Sequence, residues 1–276
     1  MRKLKTNLIN YCISHEYINF LDSLDLNIVG SGAFKKKYPK HWLNDACGKN
    51  ISKKNKHYGT LTSIYWIWKN HLKKVKQNDY VAICHYRRFW LKKNYDKNIN
   101  LKNLKKNILN NIPKDFIKYD CFVCKSQSLK GYKFSKLIKK GKRSILNNPS
   151  ILFNKNKHTI KLHFDMFHIY NGLEKSIKFL NRDDRRDFLK YVNSETKFYP
   201  LSIFILKKKY FQKLCKSTFT WLSKCEKVFN KNNLKNYGEV RIFDFLAERY
   251  FSFWITKYCK FKTWPYKLID TREKKI

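Results

Sequence analysis

Residues 50–90 read NISKKNKHYGTLTSIYWIWKNHLKKVKQNDYVAICHYRRFW, and the architecture can be worked outward from them. Tyr58, Leu61, Tyr65, Trp68 and Leu72 recur at three- and four-residue steps, so a helix would carry them as one apolar stripe. Asn78-Asp79 marks a turn, because short polar side chains hydrogen-bond their own backbone there. Residues 80–84 form an apolar run without alternation, as in a central strand covered on both faces. His85, Tyr86, Arg87 and Arg88 follow directly. Ligands of open α/β sheets bind outside the carboxyl ends of the strands, so these four residues predict a site for an anion.

Strands and helices alternate on both sides of this stretch. Residues 8–14 (LINYCIS) predict a first strand ending at His15, and 26–29 a short second one. The second runs into Gly30-Ser31-Gly32, where glycine permits a turn or a close backbone approach. Leu101, Leu104, Ile108 and Ile112 have helical spacing, and 119–124 returns to a strand pattern. Residues 125–156 show the least pattern and read as a loop or lid insertion. Residues 173–191 predict a helix interrupted near Asn181, 198–206 a strand, and 210–229 and 240–254 amphipathic helices. Residues 257–276 read as a basic tail. No repeat or boundary is visible, so the expectation is one α/β domain over residues 1–276 with a mostly parallel central sheet.

Hydrophobic residues at 43% and aromatics at 17% supply a core and exclude a wholly disordered chain. Lys and Arg number 61 against 20 Asp and Glu, a net charge of +41. Such a chain is drawn to phosphate-rich surfaces: nucleic acid, anionic lipid or phosphorylated ligands. A compositional preference for Lys and Asn is the plainer account of the same numbers. The eight cysteines are scattered through apolar runs and read as reduced thiols. Cys121 and Cys124 form a CxxC with no second pair, so a zinc site is not expected. With no signal peptide at the start and no run of 18 apolar residues, the expected location is cytoplasmic, peripheral at the inner face of the cell membrane.

The order of residues also resembles a family. Asn50-Ile51-Ser52, then Leu61-Thr62 with Tyr65-Trp66-Ile67-Trp68-Lys69-Asn70, then His85-Tyr86-Arg87-Arg88, resemble the marks of bacterial glycosyltransferases of capsule and O-antigen synthesis. Those marks are an N-I-S loop, an L-T-x-x-Y-W-x-W-K-N helix and an H-Y-R-R strand end. His15 and Gly30 fall on matched positions, as do Asp165 to His168, Phe204-Ile205 with Lys207-Lys208, Arg241, and the run from Phe245 to Arg249. The resemblance implies a GT-A-like, Rossmann-type fold. It also implies transfer of a hexose from a nucleotide-diphosphate sugar, UDP-galactofuranose or another UDP-hexose, to a lipid-linked oligosaccharide. Donor and diphosphate contacts would come from His15, Gly30, Asn50, Ser52, Tyr58 and Thr62. The strand end would add His85, Tyr86, Arg87 and Arg88, and the closing helix Arg241, Glu248 and Arg249.

A diphosphate leaving group needs its developing charge stabilised. No Asp-x-Asp occurs in the chain, so a divalent metal is not expected, and Arg87, Arg88 or a nearby Lys would supply the positive charge. An inverting transfer needs a base for the acceptor hydroxyl, and Asp165, His168, Asp244 and Glu248 are candidates. Asp165 and His168, three residues apart, are the preferred pair. Glu248, inside an amphipathic helix, reads rather as a buried ion-pair partner, and His85 reads equally as a hydrogen-bonded structural histidine. The chain departs from the family pattern at Lys49, Gly59-Thr60, Ser202 and Asp244. Two other readings stand beside the enzyme. One is a basic nucleic-acid-binding protein, which would bind any duplex with a steep salt dependence and ignore nucleotide sugars. The other is an inactive relative, in which loss of Arg87 would leave polymer synthesis intact.

Overall fold

The computed structural model describes residues 6–73, 75–229 and 234–272. The chain divides into two compact units. Unit 1 comprises Met1–Lys125, Ser202–Cys215 and Tyr258–Ile276, and unit 2 comprises Ser126–Leu201 and Lys216–Lys257.

In unit 1 the chain forms β1 (Leu8–Ser14), β2 (Asn27–Gly30), β3 (Leu43–Asn44), β4 (Tyr80–His85), β5 (Arg88–Trp90) and β6 (Cys121–Val123). After β7 (Gln127–Ser128) and β8 (Lys197–Phe198) in unit 2, it re-enters unit 1 as β9 (Phe204–Lys207), and later as β10 (Phe261–Thr263) and β11 (Tyr266–Leu268). The main sheet has the order β10-β6-β9-β4-β1-β2-β3, with β5 joining β4 to β11. β3, β2, β1 and β4 are parallel neighbours and β10 is parallel to β6, while β9 runs against both β4 and β6. The expected α/β class, a mostly parallel central sheet flanked by helices, is therefore what forms. Cys12, Ile13, Val81, Ala82 and Ile83 have no exposed surface, as a sheet covered on both faces demands. Polar atoms carried into this core are satisfied: Tyr80 Oη donates to the Tyr119 carbonyl at 2.5 Å and Trp90 Nε1 to that of Ile83 at 2.9 Å.

Three local expectations change. The helix read through 58–72 is broken into α1 (Asn55–Tyr58) and α2 (Leu61–Trp66), and the latter widens into a π-helical turn at Ile67–His71. The wide turn carries Asn70, whose side chain takes the Lys49 N–H at 3.1 Å and donates to the Lys49 carbonyl at 2.9 Å. One amide thus pins the loop ahead of the N-I-S motif. α3 (Leu101–Asn107) starts at a capping box of Asn100 and Asn103, and stops before Ile108, which bridges Leu91 instead. Residues 257–276, read as a tail, supply β10 and β11. Trp264 between them is buried, and its Nε1 donates to the Leu91 carbonyl at 2.8 Å.

Unit 2 is helical: α4 (Phe134–Asn147), α5 (Ile160–Phe167), α6 (Gly172–Ile177), α7 (Arg182–Ser194), the second half of α8 (Lys208–Cys225), α9 (Tyr237–Val240) and α10 (Ile242–Tyr258). The helix expected over 173–191 is interrupted as predicted: Asn181 caps α7 by accepting the Asp184 N–H at 2.8 Å. Residues 125–156, read as a loop, contain α4, which is held by Leu137 and Gly141 against Met166 and its neighbours. The single strand read over 198–206 is split into β8 and β9, because Pro200 lacks an N–H and Leu201 and Ser202 take left-handed φ of 81° and 51°. The core of unit 2 gathers Phe188, Trp221, Tyr250 and Phe253, and Trp221 Nε1 donates to the Ser176 carbonyl at 2.7 Å.

Candidate functional site

β1 has β2 on one side and β4 on the other, so the strand order reverses there. A ligand crevice of an open α/β sheet opens at that point, beyond the carboxyl ends. Ile13 pairs with His85 and Ser14 with Gly30, so these strands end together. His-Tyr-Arg-Arg is a tight hairpin: His85 and Arg88 pair antiparallel, with Tyr86-Arg87 as the turn. The turn is fastened by the Tyr86 N–H on the Ile13 carbonyl at 3.1 Å, by the Ile269 N–H on the Arg87 carbonyl at 2.9 Å, and by the Thr271 hydroxyl on the Tyr86 carbonyl at 2.8 Å. Arg87 Nε lies 3.8 Å from the Asp270 carboxylate. All four residues of the motif are half-buried. His85 Nε2 is sealed from solvent without a hydrogen-bond partner among the described residues, and a buried unpartnered group at a crevice points to a ligand; Arg87 Nε makes no hydrogen bond either, but faces the Asp270 carboxylate. Burial first, then the charges of His15 and Arg88, push His85 down to about 3, so its imidazole is neutral at pH 7.

Beside this end, the N-I-S and L-T motifs meet on an acid that neither contains. Asp45 is fully buried. Its carboxylate accepts from Ser52 Oγ at 2.6 Å, Thr62 Oγ1 at 2.5 Å and Ser63 Oγ at 3.3 Å, and from the N–H groups of Gly32 and Ala33 at 2.9 Å each. One carboxylate thereby ties the turn after β2 to the N-I-S loop and to α2. Sequence reasoning missed it, although Asp45 is the sole acid between Asp25 and Asp79. Asn50 braces the same loop by donating to the Ala46 and Gly48 carbonyls at 2.9 Å each. Ser52 and Thr62 are thus spent on the scaffold, and Tyr58 is core.

Gly32 has φ +73°, and a Cβ there would come within 2.7 Å of Asn55. Gly30 is tighter still: a Cβ would lie 2.3 Å from the Tyr38 ring. That ring stacks on Trp42 at 5.7 Å, and its hydroxyl donates to the Ser31 carbonyl at 2.8 Å. Gly30→Ala is therefore expected to cost about 1–3 kcal/mol by overpacking, read as a lowered urea midpoint at unchanged slope.

The remaining candidates lie in unit 2. Asp165 and His168 bind different partners. Asp165 takes Lys161 Nζ at 2.7 Å and the Asn171 N–H at 2.9 Å, and burial raises its pKa. His168 places Nδ1 3.2 Å from the Gly238 carbonyl and Nε2 3.3 Å from Arg249 Nη2, and stacks on Phe245 at 4.0 Å. Nδ1 therefore carries the proton and Nε2 accepts. Burial, then the Arg249 charge, hold His168 near a pKa of about 2, too weak a base to take a proton at pH 7. Arg249 is 1% exposed, ion-paired with Glu248, donates to His163 Nδ1 at 3.0 Å, and lies 4.8 Å over the Phe198 ring. Glu248 also accepts the Leu201 N–H at 2.5 Å, which fixes the left-handed residue that splits β8 from β9. Arg241 lies 3.8 Å from Asp244.

The fold is similar to that of the apo structure of WbbM, a bifunctional glycosyltransferase, with a TM-score of 0.65 and 19% identity over 96% of this chain. The match covers 46% of WbbM, so this chain spans about half the length of that protein. None of the curated proteins matches the chain. Residues 10–260, which include the strand-end hairpin, the Asp45 cluster and the Glu248–Arg249 pair, match the family described as a domain of unknown function (DUF4422), and the chain belongs to that family.

Proposed function

We propose that this chain is a glycosyltransferase that draws a hexose from a UDP-sugar and passes it to a lipid-linked glycan in capsule or O-antigen synthesis. The single observation that carries the reading is the cationic hairpin at the reversal of strand order, with His85 Nε2 sealed there and without a hydrogen-bond partner among the described residues. The fold shared with WbbM supports it. In this reading Arg88 and Arg87 take the donor diphosphate as charge-assisted donors and hold the charge that grows as the sugar leaves. His85, neutral, gives a hydrogen bond without adding charge. Gly30 leaves room for the Tyr38 ring that packs on the end of β2, and the Asp45 cluster keeps the neighbouring loops in place. The strand end offers Arg87 and Arg88, with Asp270 beside Arg87, and the chain has no Asp-x-Asp, so donor binding without a divalent metal is expected.

The test is thermal unfolding of the full chain with UDP and UDP-hexoses, in chelator and in Mg²⁺. A ligand at 100 times its dissociation constant adds about 2.7 kcal/mol, a plain rise in Tm. The rise should be equal in chelator and in Mg²⁺. Arg88→Ala should keep the unliganded Tm and weaken UDP roughly 10- to 100-fold, the worth of a charge-assisted hydrogen bond. No response to any nucleotide diphosphate, or an unchanged response in Arg88→Ala, would sink the reading.

A further inference from the structure

Between Asp120 and Asp165 the sequence has no Asp or Glu, but ten Lys and one Arg. Among the described residues, no Lys or Arg of 125–157 enters an ion pair; the first to do so is Lys161. α4 is built from this run. Its inner side is thin, with Leu137 and Gly141 seated on Met166. Its outer side carries Phe134, Ile138, Lys142 and Leu146 at four-residue steps, one ridge along the helix. Phe134 is 57% exposed, Ile138 48% and Leu146 73%, and Phe153, just past the 3-10 turn Pro149–Leu152, is 84% exposed. Of eleven large hydrophobics exposed among the described residues, four therefore crowd into twenty positions. Next to the ridge is a cleft of about 460 Å³, on whose walls Lys140, Lys142, Arg143 and Lys175 outnumber Asp165 and Glu239.

We propose that α4 and the turn after it dock unit 2 onto an anionic bilayer. Phe134, Ile138, Leu146 and Phe153 enter the boundary between headgroups and acyl chains, and the basic cleft takes a lipid phosphate. Interfacial helices combine such an apolar edge with Lys and Arg above it, and anionic lipid attracts each added cation. No helix of the described residues is long and apolar enough to cross a membrane, so the contact is with the surface. Nucleic acid would reward the charge and stack on aromatics, but gives nothing for exposed Ile138 and Leu146. A bilayer rewards both.

The experiment is co-sedimentation of the full chain with phosphatidylcholine vesicles, with and without phosphatidylglycerol. Binding should require phosphatidylglycerol. Lys140→Gln, Lys142→Gln and Arg143→Gln together should lower partitioning roughly a hundredfold, about fivefold per charge. Phe134→Ser with Ile138→Ser should lower it at least about tenfold at unchanged charge. These side chains are exposed, and circular dichroism checks that each variant is folded. Equal binding to neutral vesicles, full binding by the Phe134→Ser/Ile138→Ser variant, or capture by duplex RNA but not by vesicles would each overturn the proposal. Nucleotide binding is measured separately, so neither result decides the other.

Discussion

Asp45→Ala should lose on the order of 3–5 kcal/mol of stability, read by urea unfolding. The substitution removes one acceptor and strands five donors. The Ser52, Thr62 and Ser63 hydroxyls can rotate; Thr62 Oγ1 already has the Gly59 carbonyl at 3.1 Å. The N–H groups of Gly32 and Ala33 are fixed by the turn and have no such choice. Each buried donor left unpaired costs roughly 1–3 kcal/mol, so the two amides set the minimum. Asp45→Asn should fall between the variant and the parent, because one carbonyl oxygen remains while the new amide hydrogens meet the hydroxyls. A loss below about 0.5 kcal/mol in Asp45→Ala would mean that the loops are held by something else. If they are held by Asp45, the surviving folded fraction should also bind UDP more weakly, since the turn after β2 is then free to move.

The second large effect is acid lability. Burial is the first cause of the depressed basicity of three imidazoles: His85 and His163 each go to about 3 and His168 to about 2, from 6.5. Above pH 6.5 they are neutral in both the folded and the unfolded chain and leave stability unchanged. As the pH falls below 6.5 the unfolded chain takes up protons that the folded chain refuses, so stability drops and keeps dropping until about pH 3. Each group contributes at most about 1.4 kcal/mol per pH unit, so three give an upper slope of about 4 kcal/mol per unit. Unfolding free energy measured at successive pH values from 7 to 4 should fall accordingly. His163→Phe should reduce the slope by about one proton, whatever its effect on stability at pH 7. A flat profile, or an unchanged slope in that variant, would contradict the buried neutral state.

Much of this was legible in the sequence because it depends on burial pattern. β1 and β4 could be read since a strand covered on both faces has no polar alternation, and the cations at the end of β4 stand next to it in the chain. That Arg87 lies in a two-residue turn and Arg88 just after it was not legible, because His85 opposite Arg88 is a pairing, not a composition. The N-I-S and L-T motifs were visible, yet Asp45 was not: its partners are 7 and 17 residues away and meet only when three segments fold together. α4 stayed hidden because its buried stripe is little more than Leu137 and Gly141, too thin to rise above a Lys-rich background. The break between β8 and β9 falls at Pro200, which lacks the N–H a strand needs, but the apolar residues on either side read as one strand. Glu248 could be read as an ion-pair partner; that its cation would be the adjacent Arg249 followed only from the fold.

Unit 1 is assembled from three separated pieces of chain, and the last strands to pair, β10 and β11, lie beyond residue 260. During synthesis β6 therefore emerges with both edges open; β9 covers one after about 80 further residues, and the edge that β10 takes stays open for about 140, roughly 7–28 s at ordinary elongation rates. Throughout that interval Cys121, Phe122 and Val123 present an apolar strand with unpaired backbone groups to solvent, a hazard for edge-to-edge association. A ribosome stalled before residue 261 should thus hold a nascent chain that binds chaperone and is cut readily by protease, and a chain extended until β10 and β11 have emerged should lose both.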